Sequence, residues 1–203
     1  MVEQPAVGGT AVGGTALADP AWLAARLIDL AAAWQIDDLR VAGTLWWYMA
    51  SATLLDAPVH DSRVDPGLTA LVVELRPDGS VARVRHTGSA RRQIPALREM
   101  VRCIVVPLAE VSGAAERSLW AVTTDAIAGH CLAAPARADE LTAAIPELPS
   151  PRFVDVGERR FVRRGSCCLI YRSPIAGLCT SCPKRPPAER DRLLAALVGD
   201  RPG

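Results

Sequence analysis

The sequence predicts an α+β protein, mostly helical, with a small antiparallel sheet and a C-terminal cysteine-rich loop. Three observations carry this reading. Apolar residues recur at helical spacing through several long stretches, in a chain rich in alanine, which favours helix. Two short β-prone segments turn back on themselves, at Pro77-Asp78-Gly79 and at Gly157-Glu158, as hairpins do. Four of the six cysteines fall between residues 167 and 182.

A chain of 203 residues with a net charge of +1 is long enough for a sizeable core. The near-neutral balance gives no electrostatic reason to expect nucleic acid or an anionic membrane as partner. The first residues lack a basic stretch followed by an apolar run, so no secretory signal is expected. The longest uncharged, mostly apolar run, Val41 to Leu55, is shorter than the roughly 20 residues a spanning helix needs, and no membrane span is expected. Clustered rather than scattered cysteines suit a reducing cytoplasm, the expected location.

Residues 1–18 carry Ala-Val-Gly-Gly-Thr twice, at 6–10 and 11–15, and are expected to form a disordered tail, since small residues bury too little to offset ordering entropy. No strand precedes this glycine-rich stretch and no Gly-Lys-Ser/Thr closes it, so it is not read as a phosphate loop. Asp19-Pro20 signals a helix start, a capping side chain followed by proline. Trp22, Leu23, Leu27, Leu30 and Trp34 then follow at helical spacing. Ile36-Asp37-Asp38 breaks this helix and caps a second, to about Leu55, whose Trp46-Trp47-Tyr48 read as core or interface aromatics. Residues 56–68 read as a loop in which His60 is solvated. Leu68–Leu75 and Ser80–Arg85 form the first hairpin. A helix from about Ala90 to Val111 carries the stripe Leu97, Met100, Val101, Ile104, Val105 and Leu108, with Pro107 expected to disturb it and Cys103 expected in the core. The next helix runs from about Ala115 to Leu132, ending in a helix-end His130 and a buried, inert Cys131. Ala138–Ile145 is a short helix. Arg152–Val156 and Arg160–Arg164 form the second hairpin, which feeds the cysteine motif, and Ala188–Val198 is the last helix.

The motif is C-C-x10-C-x2-C: Cys167, Cys168, Cys179 and Cys182. Four thiols so close together invite a metal site, either structural zinc or an iron–sulfur centre. The x2 spacing lets two sulfurs reach one metal from a tight turn. Adjacent Cys167 and Cys168 point to opposite faces of an extended segment and converge only if the backbone bends. Zinc usually takes ligands spaced by two to four residues, whereas a cluster offers positions on separate irons. Gly165, Ser166, Gly177, Thr180 and Ser181 permit tight curvature and bring donors to sulfur. Arg163, Arg164, Arg172, Lys184 and Arg185 flank the thiols with positive charge, Lys184 and Arg185 reading as a solvated basic edge.

This spacing, with Val162-Arg163-Arg164, Tyr171-Arg172, Pro174 and Pro183 around it, resembles the C-terminal signature of the FhuF family of ferric-siderophore reductases. The sequence departs from that pattern in having two residues, Gly165 and Ser166, between the arginine and cysteine pairs, and Thr180-Ser181 inside the CxxC. The resemblance implies a [2Fe-2S] cluster held by Cys167, Cys168, Cys179 and Cys182, with Arg163, Arg164, Tyr171 and Arg172 placed to tune it or to meet substrate. It implies a FhuF-like helical domain over 19–160 and a cluster-binding segment with the last helix over 161–203. The activity implied is one-electron reduction of a ferric siderophore, releasing Fe(II) for iron assimilation. No nucleotide fingerprint is visible, so a ferredoxin-like protein or a flavin reductase is expected as external electron donor. The other class considered is a zinc- or cluster-stabilised binding or sensor module without turnover.

Overall fold

Asp19 caps the first helix: its carboxylate accepts from the backbone N–H of Ala21 at 2.8 Å and of Trp22 at 3.2 Å, with Pro20 in the first position. The structure, a computed structural model, describes residues 10–199. Helix α1 (Pro20–Trp34) is followed by α2 (Leu39–Leu54), which Asp38 caps through the N–H of Arg40 at 2.9 Å. The short α3 (Asp56–His60) follows within the segment expected to be loop. Helices α4 (Gln93–Ser112) and α5 (Glu116–His130) complete the helical layer, and α6 (Pro135–Ala143) packs on α5. The start of α4 lies three residues later than expected because Gln93 is buried there, its side-chain amide donating to the carbonyls of Pro58 at 2.8 Å and Asp61 at 2.7 Å. The helix runs on through Pro107 as one element. Cys103 is half-buried rather than core and donates to the Glu99 carboxylate at 3.2 Å, while Cys131 is buried.

Two of the three aromatics of α2 are core as expected, and Tyr48 is 36% exposed. Trp46 and Trp47 are fully buried with both indole N–H groups satisfied. Trp46 donates to the Gly79 carbonyl at 3.0 Å, and Trp47 to the Leu119 carbonyl at 3.0 Å and Thr123 Oγ1 at 3.2 Å. The second set of bonds locks α2 to α5. Gly43 permits the approach of α2 to α4, for a Cβ there would lie 2.5 Å from that of Ser112.

Strands β1 (Ala11–Gly13), β2 (Leu71–Leu75) and β3 (Val81–His86) form an antiparallel sheet in that order, and the first predicted hairpin is β2–β3. Strand β1 corrects the expected tail. Of that stretch, residues 1–9 lie outside the described residues, but 10–18 are ordered. Val12 pairs with Val73, and a 3₁₀ turn over Gly14–Ala18 buries Leu17 completely. The glycine read as a sign of disorder marks a close approach instead: a Cβ on Gly14 would sit 2.5 Å from the Leu68 carbonyl oxygen.

A second, two-stranded sheet, β4 (Phe153–Val156) and β5 (Arg159–Val162), is the second predicted hairpin and leads into the cysteines. The last helix, α7 (Pro187–Gly199), packs on β4 with Leu194 inward and Leu197 exposed. Among the described residues no helix is long and apolar enough to cross a membrane.

Candidate metal centre

Past the end of β5 the chain divides the two arginines. Arg163 is exposed, its backbone N–H bonded to the Arg152 carbonyl at 2.8 Å, and Arg164 turns inward to 8% exposure. The cysteine loop then begins under a clamp from α5. The Asp125 carboxylate accepts from the N–H of Gly165 at 2.9 Å, the N–H of Ser166 at 2.9 Å and Ser166 Oγ at 2.5 Å. These are charge-assisted bonds to a side chain that is itself 9% exposed.

The backbone bend that adjacent cysteines require falls at Leu169, whose φ of 60° is rare for a branched side chain. It opens a 3₁₀ turn over Ile170–Arg172. Across the bend the four sulfurs neighbour one another in two pairs, Cys168 with Cys179 and Cys167 with Cys182. The opposite faces of Cys167 and Cys168 are thus each met by one member of the CxxC, whose turn is closed by the Cys182 N–H on the Cys179 carbonyl at 3.1 Å. In each pair one sulfur belongs to a buried residue, Cys168 or Cys182, and the other to a half-buried one. The backbone N–H groups of Ile170 and Leu169 are directed at the sulfurs of Cys168 and Cys167.

The electrostatics of the first pair are unequal. The hydrogen bond from the Cys179 thiol, the Ile170 amide and the Arg164 guanidinium hold Cys168 well below the ordinary thiol range against its burial. Cys179, as the donor in that bond and half-buried, is pushed up. Burial likewise raises Cys167.

Arg164 supplies the test of what these sulfurs hold. Its guanidinium lies 4.5 Å over the Tyr48 ring, 3.7 Å from Asp125 Oδ2 and, through Nη1, 3.6 Å from Cys179 Sγ. Its Nε and Nη2 are buried with no hydrogen-bond partner. A buried guanidinium with Nη1 on the Cys179 sulfur and two further donors left without a hydrogen bond fits an anionic, sulfur-rich group beside it. A single tetrahedral zinc ion, with Zn–S bonds of about 2.3 Å, would hold all four sulfurs roughly 3.8 Å apart. Among the described residues the one trio of possible ligands converging within 4.8 Å lies elsewhere, so no three of these sulfurs close on a single ion. Two pairs match a group with two irons.

Beside the sulfurs opens a pocket of about 780 Å³ between the start of α2, the first half of α5 and the cysteine loop. Cys167, Tyr171 and Arg172 are in its wall, while Arg163 is not. Tyr48 forms the shelf under Arg164, and Trp47 is sealed in the core. Arg185 corrects the reading of a solvated edge. It donates to the carbonyls of Cys179 at 2.9 Å and Leu178 and pairs with Glu189, closing the loop at its exit. Lys184 is exposed, as expected. Asp125 escaped the sequence reading altogether. Its signal is an acid in the middle of an otherwise small and apolar helical stretch, Leu119–Ile127.

No curated protein matches the chain. The family model of the FhuF 2Fe-2S C-terminal domain matches residues 164–184, the segment from Arg164 to Lys184, two residues past the CxxC. In this segment the chain is similar to that family, as its cysteine spacing suggests, and its cofactor is a [2Fe-2S] cluster.

Proposed function

We propose that the protein is a cytoplasmic ferric-siderophore reductase in which Cys167, Cys168, Cys179 and Cys182 hold the cluster. The observation that carries this reading is the position of Cys167, which belongs both to the sulfur nest and to the wall of the 780 Å³ pocket. A pocket of that size suits a small-molecule complex. When bound, the cluster supplies one-electron chemistry. The protein takes one electron from an external donor and passes one to Fe(III) in the docked chelate. Hard oxygen ligands hold Fe(II) less well than Fe(III), so iron is released without breaking a bond in the siderophore. No nucleophile or general base is needed.

The residues of the pocket contribute binding and charge. Asp38 is paired with Arg40 at 3.2 Å and Asp125 is committed to the loop, whereas Arg117, Arg152 and Arg172 form no ion pair among the described residues. The two free guanidinium forks of Arg117 and Arg172, with the charge of Arg152, whose Nη2 donates to the Arg164 carbonyl at 3.5 Å, favour a chelate with anionic oxygens, catecholate or carboxylate, over a neutral hydroxamate. Arg164, behind the sulfurs, offsets negative charge that would otherwise repel such a substrate.

The test mixes chemically reduced protein, without oxygen, with ferric catecholates and hydroxamates and a ferrous chelator. The expected result is reoxidation of the protein and one ferrous ion per electron, fastest with the anionic complexes. Absence of ferrous iron with every complex overturns the reading in favour of a binding module.

A further inference from the structure

Away from the cysteines, three helix ends converge. His60 closes α3, His130 closes α5, and Ala52 lies in the last turn of α2, with Asp56 opening α3 between them. One ring nitrogen of each histidine and one oxygen of Asp56 lie within 4.8 Å of one another. Asp56 Oδ1 is 3.3 Å from His60 Nδ1 and 3.3 Å from His130 Nδ1. An ion with bonds of about 2.1 Å to nitrogen and oxygen holds tetrahedral ligands roughly 3.4 Å apart, so the Asp56–His130 separation already has the required size.

The hydrogen bonds say which atoms are free. His130 Nε2 lies 2.8 Å from the Ala52 carbonyl oxygen, a pure acceptor, so Nε2 carries the proton. In the neutral ring Nδ1 is then an unprotonated lone pair, and it faces a carboxylate oxygen. Two acceptors at 3.3 Å repel unless a metal cation or a proton lies between them. The bond to Ala52 is the outer-shell contact that orients a ligating imidazole. His60 Nδ1 lies 2.8 Å from the Asp56 carbonyl and by the same rule carries the proton, so His60 would ligate through Nε2 once its exposed ring turns. The two rings stand at 80° with centroids 5.6 Å apart, edge to face, rather than stacked over the gap. The carbonyl ends of three helices add partial negative charge around the site.

We infer that Asp56, His60 and His130 form a second metal site, independent of the cysteines, for a divalent first-row transition ion. Two imidazoles and one carboxylate with an open solvent face suit Fe(II) or Zn(II), and are poor ligands for calcium or magnesium. Asp56 is 64% exposed and His130 19%, so the ion enters from solvent and is backed by protein on the His130 side. Fe(II) is also the product of the proposed reaction, but the site stands on its own ligands whether or not that reaction occurs.

Oxidised holoprotein, its cysteines occupied by the cluster, is titrated with zinc sulfate against a chromophoric zinc chelator. One zinc per chain is expected with no change in the visible spectrum of the cluster. His60→Ala and His130→Gln should each weaken binding at least about tenfold, and Cys103→Ser should leave it unchanged. His60 is exposed and its variant tests the site even if His130→Gln does not fold. Wild-type protein that binds no zinc, leaving an imidazolium–carboxylate pair in place of a metal site, overturns the proposal. Equal affinity in wild type and His60→Ala overturns it too.

Discussion

Replacing Asp125 by asparagine should loosen the cysteine loop and drain its iron. The carboxylate accepts three hydrogen bonds, at 2.9, 2.9 and 2.5 Å, from Gly165 and Ser166. Asparagine keeps one acceptor oxygen and turns an N–H₂ towards a backbone donor, so at least one bond becomes a donor–donor clash. A hydrogen bond to a charged group is worth about 1.5–3 kcal/mol. The same substitution strips the negative charge 3.7 Å from Arg164, whose side chain is 5% exposed, and leaves a buried cation with less compensation. These contributions overlap, and a net loss of about 3 kcal/mol is expected. For a domain of this size that lowers the melting temperature by about 6–12 °C. Thermal melts by circular dichroism under anaerobic conditions, with iron and sulfide per chain, read both effects. Asp125→Glu, which keeps charge but shifts the oxygens by one methylene, should fall between. An Asp125→Asn protein with full iron content and a melting temperature within about 1 °C of wild type would refute the clamp.

Leu17→Ala should cost about 3 kcal/mol in urea unfolding, because Leu17 is fully buried. A loss below about 1 kcal/mol would restore the disordered-tail reading for 10–18. Arg164→Gln should lower the reduction potential of the cluster in a spectroelectrochemical titration by removing a buried cation, while Arg163→Gln, at an exposed position, should leave it unchanged. Serine at Cys167, Cys168, Cys179 or Cys182 should each abolish stable iron binding, and serine at Cys103 or Cys131 should not. Full iron retention in Cys168→Ser would remove that residue from the ligand set. Arg117→Gln combined with Arg172→Gln should raise KM for a ferric catecholate and leave that for a neutral ferric hydroxamate nearly unchanged, with the catecholate rate falling as salt rises.

What could be read from sequence was what is encoded locally. Asp19-Pro20 and Asp38 announce helix starts because cap and helix are neighbours in the chain. The cysteine motif was legible for the same reason, its ligands lying within one short segment. Contacts between distant segments were not. Strand β1 exists because Ala11 meets Glu74, and the disordered-tail reading of Ala-Val-Gly-Gly-Thr had no access to that partner. Asp125 reaches a loop 40 residues on, and His130 finds a carbonyl 78 residues back. A helix-end histidine and a solvated one were each reasonable when read singly. Only the packing of α3 on α5 puts them together. The arginine pair failed as a pair because consecutive residues of extended chain face opposite ways, which sends Arg163 to solvent and Arg164 under the sulfurs.

The cysteine loop contains one 3₁₀ turn and no strand, so backbone ladders do little to hold it. Side chains take over that task at three points. Asp125 grips the entry at Gly165 and Ser166, Ser173 Oγ donates to the Trp34 carbonyl at 2.6 Å in the middle, and Arg185 binds the carbonyls of Leu178 and Cys179 at the exit. Each of the first two anchors ends on a helix of the core. Electron transfer without bond making asks for a fixed separation between donor and acceptor and little more. A loop pinned to helices at its entry and middle, and braced at its exit, provides that while keeping thin the layer of protein over its sulfurs. Cys168 and Cys182 are 2% exposed. Of the four cysteines only Cys167 reaches the pocket wall, and it does so directly after Ser166, which the Asp125 clamp holds.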